Sequence, residues 1–117
     1  MTTLKETKKK IEADSRWWKM YFFDFVDDFR YYKDIRMISE PFPFSDDKMD
    51  ALLASTAESL CDELKIEPPE WLEKVQPCNE PYFVSGFENL KATAIVESPV
   101  RFRIRKIFVS ENFLSRV

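Results

Sequence analysis

The chain has 117 residues, 44% of them apolar and 33% charged, with a formal net charge of −3 and no histidine. That length is one domain's worth of protein, and 11 Phe, 4 Tyr and 3 Trp exclude wholesale disorder. The missing histidine excludes Cys/His zinc sites and histidine-based nucleophilic catalysis, and a single glycine, Gly86, excludes a glycine-rich phosphate cradle.

The charge is uneven. The first ten residues set Lys5, Lys8, Lys9 and Lys10 against Glu6, and residues 98–117 set Arg101, Arg103, Arg105, Lys106 and Arg116 against Glu111. The segment between is strongly acidic. An acidic body with two basic ends disfavours general nucleic-acid binding, which needs a broad positive face. The N-terminus has no apolar run behind its lysines, so it does not read as a secretory signal. No stretch approaches ~18 consecutive apolar residues, so no membrane span is expected and the chain reads as cytoplasmic. Cys61 and Cys78 do not make a disulfide framework, and no bridge between them is expected.

Residues 1–13 read as a lead-in, partly ordered or helical, ahead of one helical domain over 14–117. Asp14 or Ser15 is positioned to cap the first clear helix. Trp18, Phe22, Phe25, Phe29 and Tyr32 follow at spacings of four, three, four and three, which is one helix face. This long aromatic helix is expected to be the spine of the core. Trp17 and Trp18 are adjacent and cannot both face inward, so Trp17 becomes a candidate interface residue.

Pro41 and Pro43 end any helix and leave an extended connector holding Phe42 and Phe44. Ser45 reads as the cap of a second helix, with Asp46 and Asp47 in its first turn. Met49, Leu52, Leu53, Ala57, Leu60 and Leu64 carry that helix from Asp46 to about Lys65. From Ile66 to Gly86 the chain is irregular and rich in proline. Glu70–Val75 suits one short helical turn burying Trp71 and Leu72, and Tyr82, Phe83 and Val84 read as extended.

Phe87, Leu90, Ala94 and Ile95 fit a third helix. Ser98-Pro99 reads as a cap followed by a first-turn proline for a fourth. Val100, Phe102 and Ile104 alternate with Arg101, Arg103 and Arg105, which is the strand period. The cap signal favours a short helix through about Lys106, then extended Ile107-Phe108-Val109; a strand over 100–109 is the open alternative. Ser110 is placed to cap a final turn with Phe113 and Leu114. The fold expected is mainly α, a single compact helical domain with a proline-rich irregular segment.

Two constellations carry chemistry. Asp24, Asp27 and Asp28, joined by Asp46, Asp47 and Asp50, could hold a metal ion only if two elements converge. A solvated face with capping acids is the plainer account, so a metal-dependent enzyme stands third among the functional readings. Arg101, Arg103, Arg105 and Lys106 form the sharpest charge feature and, with Trp17, the candidate interaction residues. On a helix, 101 and 105 share a face and 103 does not; on a strand all three do. No catalytic set and no cofactor site emerge from the residues.

Three stretches belong together: WWKMYFFDFVDDFRYYKD, DALLASTAESLCDEL with PPEWLEKV, and ENLKATAIVESPVRFRIRKIFVSENFLSRV. In this order they resemble a group of small bacterial proteins. The ending also resembles the C-terminal region of helix-turn-helix regulators encoded beside abortive-infection-type nucleotidyltransferases, in pairs that look like toxin and antitoxin. Ser98-Pro99, Phe102-Arg103, Ile107-Phe108-Val109 and Leu114-Ser115-Arg116 carry most of it, and it covers the chain after about Arg16. Residues 1–15 are too short for a DNA-reading helix-turn-helix. The resemblance implies a partner-facing region with no catalytic residues of its own. The expected function is a non-catalytic cytosolic protein-interaction domain, the antitoxin-like partner of a nucleotidyltransferase toxin. A small homo-oligomeric structural protein is the alternative.

Overall fold

Thr3 starts the first helix: its hydroxyl accepts the Glu6 N–H at 3.1 Å. The computed structural model of the chain describes residues 2–84, 98–109 and 113–114. Helix α1 spans Leu4–Ala13 and buries Leu4, Thr7, Lys8 and Ile11 along one side. Leu4 and Ile11 enter the same apolar cluster as the rest of the chain. Only two apolar side chains mark that side, because Thr7 and Lys8 complete it.

A 3₁₀ turn over Ser15–Trp17 leads into α2, Trp18–Tyr32. No side-chain cap holds this junction, so neither Asp14 nor Ser15 acts as expected; the turn itself feeds the helix. Phe22, Phe25 and Phe29 are fully buried on the face read from their spacing, with Val26 beside them. Tyr32, the last residue of the helix, is exposed. The helix stops at Lys33, whose backbone is left-handed (φ 53°).

Helix α3, Asp47–Leu64, is capped by Asp46 rather than Ser45. The Asp46 carboxylate accepts the N–H groups of Lys48 (3.1 Å) and Met49 (3.3 Å). The Ser45 hydroxyl is engaged elsewhere, donating to Glu12 at 2.8 Å. Residues 50–58 are buried without interruption, so α3 has no solvent side through its middle. α3 therefore shares the centre of the fold with the aromatic helix, whose Phe22, Phe25 and Phe29 are fully buried. Asp50, Ser55, Thr56 and Glu58 are buried among the apolar residues of α3, which is possible only because they find partners. Like α2, α3 ends on a left-handed lysine, Lys65 (φ 58°).

The proline-rich segment wraps this helix pair. A 3₁₀ turn, Glu70–Lys74, buries Leu72, and the Trp71 indole N–H donates to the Ile38 carbonyl at 2.8 Å. Strand β1 (Tyr82–Phe83) pairs in parallel with β2 (Ile107–Phe108), Tyr82 opposite Ile107 and Phe83 opposite Phe108. Between them lies α4, Val100–Arg103. The short helix and the extended residues after it thus both exist, in the order the cap signal implies. Ser98 stands one residue before the cap position of α4, which Pro99 occupies without a side-chain hydrogen bond. The Ser98 hydroxyl donates to the Val109 carbonyl at 3.0 Å and accepts the Val109 N–H at 2.8 Å, closing the turn onto its far end. Phe113 packs against Phe22, Phe23 and Phe102, joining α2 to α4. The third helix expected over 87–95 and the Ser110 cap lie outside the described residues. The fold is mainly α.

Candidate functional site

The basic run does not form one patch. Arg105 is buried. Its guanidinium donates to the Glu58 carboxylate, to the Ser55 hydroxyl (3.4 Å) and to the carbonyls of Val75 (3.2 Å) and Leu72 (2.7 Å). Arg105 is therefore a structural residue, not an interaction residue: it ties α3, the proline-rich segment and the α4–β2 turn together. Arg101 is half-buried and makes a two-pronged contact with Asp62, at 2.9 and 3.1 Å, with Glu58 at 3.6 Å. Its hydrogen bonds to the Asp62 carboxylate hold its pKa above the ordinary arginine value.

Arg103 and Lys106 are the two exposed members. Arg103 lies one helical turn after Val100 and beside Ile104, and both aliphatic side chains are 57% exposed. Lys106 has a left-handed backbone (φ 61°), which lets the chain turn from α4 into β2. So α4 buries Phe102, spends Arg101 on α3, and presents Val100, Arg103 and Ile104 outward.

Trp17 is 54% exposed, whereas Trp18 packs against the core. Beyond Trp17, α2 carries two residues the sequence reading passed over: Met20 (47% exposed) and Tyr31 (78%). Met20, Asp24, Asp27 and Tyr31 recur at spacings of four, three and four, on the side opposite Phe22, Phe25, Val26 and Phe29. Counting outward from Trp17 as well as inward from Trp18 would have found them. The exposed face of α2 is thus acidic in its middle and aromatic at its ends.

The acids are used separately. Asp28 accepts the Thr2 N–H at 3.0 Å, Asp46 caps α3, and Asp47 accepts the Asn79 N–H at 3.3 Å. Asp50 pairs with the buried Lys8 ammonium, which also donates to the Pro43 carbonyl at 2.8 Å and the Ser45 hydroxyl at 3.2 Å. Among the described residues no group of three acids or cysteines is placed to hold a metal ion. Burial, reinforced by Asp62 and Glu58, pushes the Cys61 thiol up to about 11, and burial raises that of Cys78 too. Neither is poised as a nucleophile, which requires a lowered pKa.

A cleft of about 390 Å³ between α3 and α4 has Phe102, Val109, Phe113 and Leu114 on its apolar side. Both of its arginines are committed: Arg30 to Glu63 at 2.8 and 2.9 Å and to the Leu114 carbonyl, Arg101 to Asp62. The cleft is better suited to holding the two elements together than to capturing an anion.

Among the described residues, no helix is long and apolar enough to cross a membrane. The chain matches no family model, no curated protein and no solved structure.

Proposed function

We propose that this chain is a non-catalytic protein-interaction domain acting in the cytoplasm as the antitoxin-like partner of a nucleotidyltransferase toxin. The observation that carries the interaction reading is the outward face of α2. Trp17, Met20 and Tyr31 stay exposed there although the chain has a well-filled core to receive apolar side chains. Exposed aromatics on one face are the usual anchors of interfaces, where Trp and Tyr supply a large share of the binding free energy. The partner class comes from the resemblance of Ser98-Pro99, Phe102-Arg103 and Ile107-Phe108-Val109 to regulators encoded beside such enzymes. The mechanism is occlusion: a preformed surface covers the toxin's nucleotide or acceptor site, and this chain contributes no chemical step.

The test has two parts. The tagged chain is expressed in its native host and captured proteins are identified by mass spectrometry, with Trp17→Ala/Tyr31→Ala as the control. A nucleotidyltransferase enriched on the unaltered chain and lost on the double variant supports the proposal, and relief of that enzyme's growth inhibition by co-expression completes it. Capture without a nucleotidyltransferase, or equal capture by both chains, overturns it. An assembly of this chain alone would transfer the reading to a homo-oligomeric structural protein.

A further inference from the structure

The cleft between α3 and α4 contains a hydroxyl with nothing to bond to. Ser59, Asp62 and Glu63 stand at i, i+3 and i+4, so one face of α3 lines the cleft. Among the described residues, Ser59 Oγ is the one buried side-chain oxygen or nitrogen without a hydrogen-bond partner. A hydroxyl buried on a helix commonly donates to the carbonyl four residues back, as Thr56 does to Leu52 at 2.8 Å. Ser59 does not make that bond, and it borders about 390 Å³ of open space instead. A buried hydroxyl left unpaired is unfavourable, so a molecule that pairs with it is held the more firmly.

We propose that this cleft is a binding site for a small neutral molecule, an apolar ring carrying one hydroxyl that bonds to Ser59. The charge of the site selects a neutral ligand. Among the described lining residues, Arg30 is matched by Glu63 and Arg101 by Asp62, so an ionised ligand must break an existing pair before it makes a new one. The apolar wall selects the body of the ligand. Phe102 and Phe113 meet edge to face with centroids 6.3 Å apart, and Val109 and Leu114 extend the wall, which suits a flat ring able to stack or to present its edge. The space lies near the lower end of small-molecule sites, roughly 300–1,000 Å³, so it fits a body of one ring. A hydroxyl is the matching polar group, because Ser59 Oγ can either donate to it or accept from it. The inference does not rest on the nucleotidyltransferase reading, which uses the α2 face.

Phenol, which is neutral at pH 7, is the probe, with toluene as its apolar counterpart and benzoate as its anionic one. Each is titrated into the full chain to ~5 mM, a range suited to ligands of so few atoms, and followed by backbone amide chemical shifts. Phenol should shift Ser59, Asp62, Phe102 and Val109 together, and benzoate should leave them in place. Ser59→Ala removes a hydroxyl that bonds to nothing, so its melting temperature should not fall. The same variant should lose phenol affinity relative to toluene by roughly 2- to 10-fold, the strength of one hydrogen bond. An unchanged ratio overturns the proposal, as does phenol that leaves the cleft unshifted. Shifts centred on Trp17, Met20 and Tyr31 overturn it too, since exposed rings there can stack on any aromatic molecule. So does benzoate bound as well as phenol, or a Ser59→Ala chain that melts early. Ser59→Ala leaves the α2 face intact, so its capture of a nucleotidyltransferase reports on the previous proposal alone.

Discussion

Arg105 and Glu58, 47 residues apart in sequence, form an ion pair whose side chains are both almost wholly removed from solvent. The same guanidinium reaches two backbone carbonyls of the proline-rich segment, so one side chain fixes three separate pieces of chain. Removing one partner of a buried pair strands the other's charge in a poorly solvating interior. Arg105→Ala should therefore lower stability by about 3–5 kcal/mol, read as a shift in the urea midpoint. Arg105→Met combined with Glu58→Leu should be much milder, because no unpaired charge remains. A double variant as unstable as the single one would show that the carbonyl contacts, not the ion pair, carry the effect.

Lys8 makes the matching tie at the other end of the fold. Its ammonium lies among Asp50, Pro43 and Ser45 and 4.8 Å from the centre of the Phe42 ring. This clamps α1 to the connector and to the start of α3. Lys8→Met keeps the length of the stem but leaves Asp50 buried without its cation. The expected loss is about 3 kcal/mol, with faster amide exchange across 4–13 than across α3. Unchanged exchange in α1 would mean that Leu4 and Ile11 alone hold it in place.

These two ties also mark where sequence reading stopped. The inward face of α2 was legible because five aromatics repeat at helical spacing, and burial follows from residue type. The start of α4 was legible because Ser-Pro is a local signal. Arg105 was not, since Arg101, Arg103 and Arg105 are identical side chains alternating with apolar residues. Which one turns inward depends on where Glu58 sits, and that is fixed by packing 47 residues away. Lys8 stands in a run of three lysines and looked solvated for the same reason. Ser98 was placed correctly at a helix start, yet its partner is Val109, which approaches only because β2 pairs with β1. At the candidate surface, Trp17, Arg103 and Lys106 proved exposed, whereas Arg101 and Arg105 were absorbed by acids of α3.

Ser98 offers a local test of that closure. Its hydroxyl both donates to and accepts from Val109 in a buried setting. Ser98→Ala should cost about 1–3 kcal/mol, because a buried N–H and C=O each lose a partner. The accompanying chemical-shift changes should centre on Val109 rather than on residues 100–101. Changes confined to 100–101 would restore the capping role.

The chain ends its two long helices with lysines in the left-handed region, Lys33 and Lys65, where glycine is the usual residue. A side chain with a Cβ is strained there, and both residues are exposed. Lys33→Gly and Lys65→Gly should each raise stability by about 0.5–1 kcal/mol despite the greater freedom glycine gives the unfolded chain. Thermal melts at two heating rates would check this. A drop in stability at both positions would mean that the lysine stems pack more tightly than their exposure implies.

The thiols set the alkaline limit. Cys61 is buried on α3, and its pKa stands at about 11 against an ordinary value of 9.0, because burial and then Asp62 and Glu58 disfavour the thiolate. The folded chain therefore keeps this proton over a range in which the unfolded chain releases it. Stability from this source is fully present below pH 9 and is lost as the pH rises towards 11, since the unfolded state binds fewer protons there. Its size is on the order of 2 kcal/mol. Burial raises Cys78 and Tyr82 as well, and both act in the same direction. Urea midpoints between pH 7 and pH 11 should fall for the unaltered chain, and Cys61→Ala should flatten part of that fall. Slopes are the quantity to compare, because the smaller alanine side chain lowers stability at every pH. A thiol-exchange reagent at pH 8 should label Cys61 slowly until urea unfolds the chain. If Cys61→Ala kept the full alkaline slope, the loss would belong to Cys78 and Tyr82, and the α3 thiol would have no part in it.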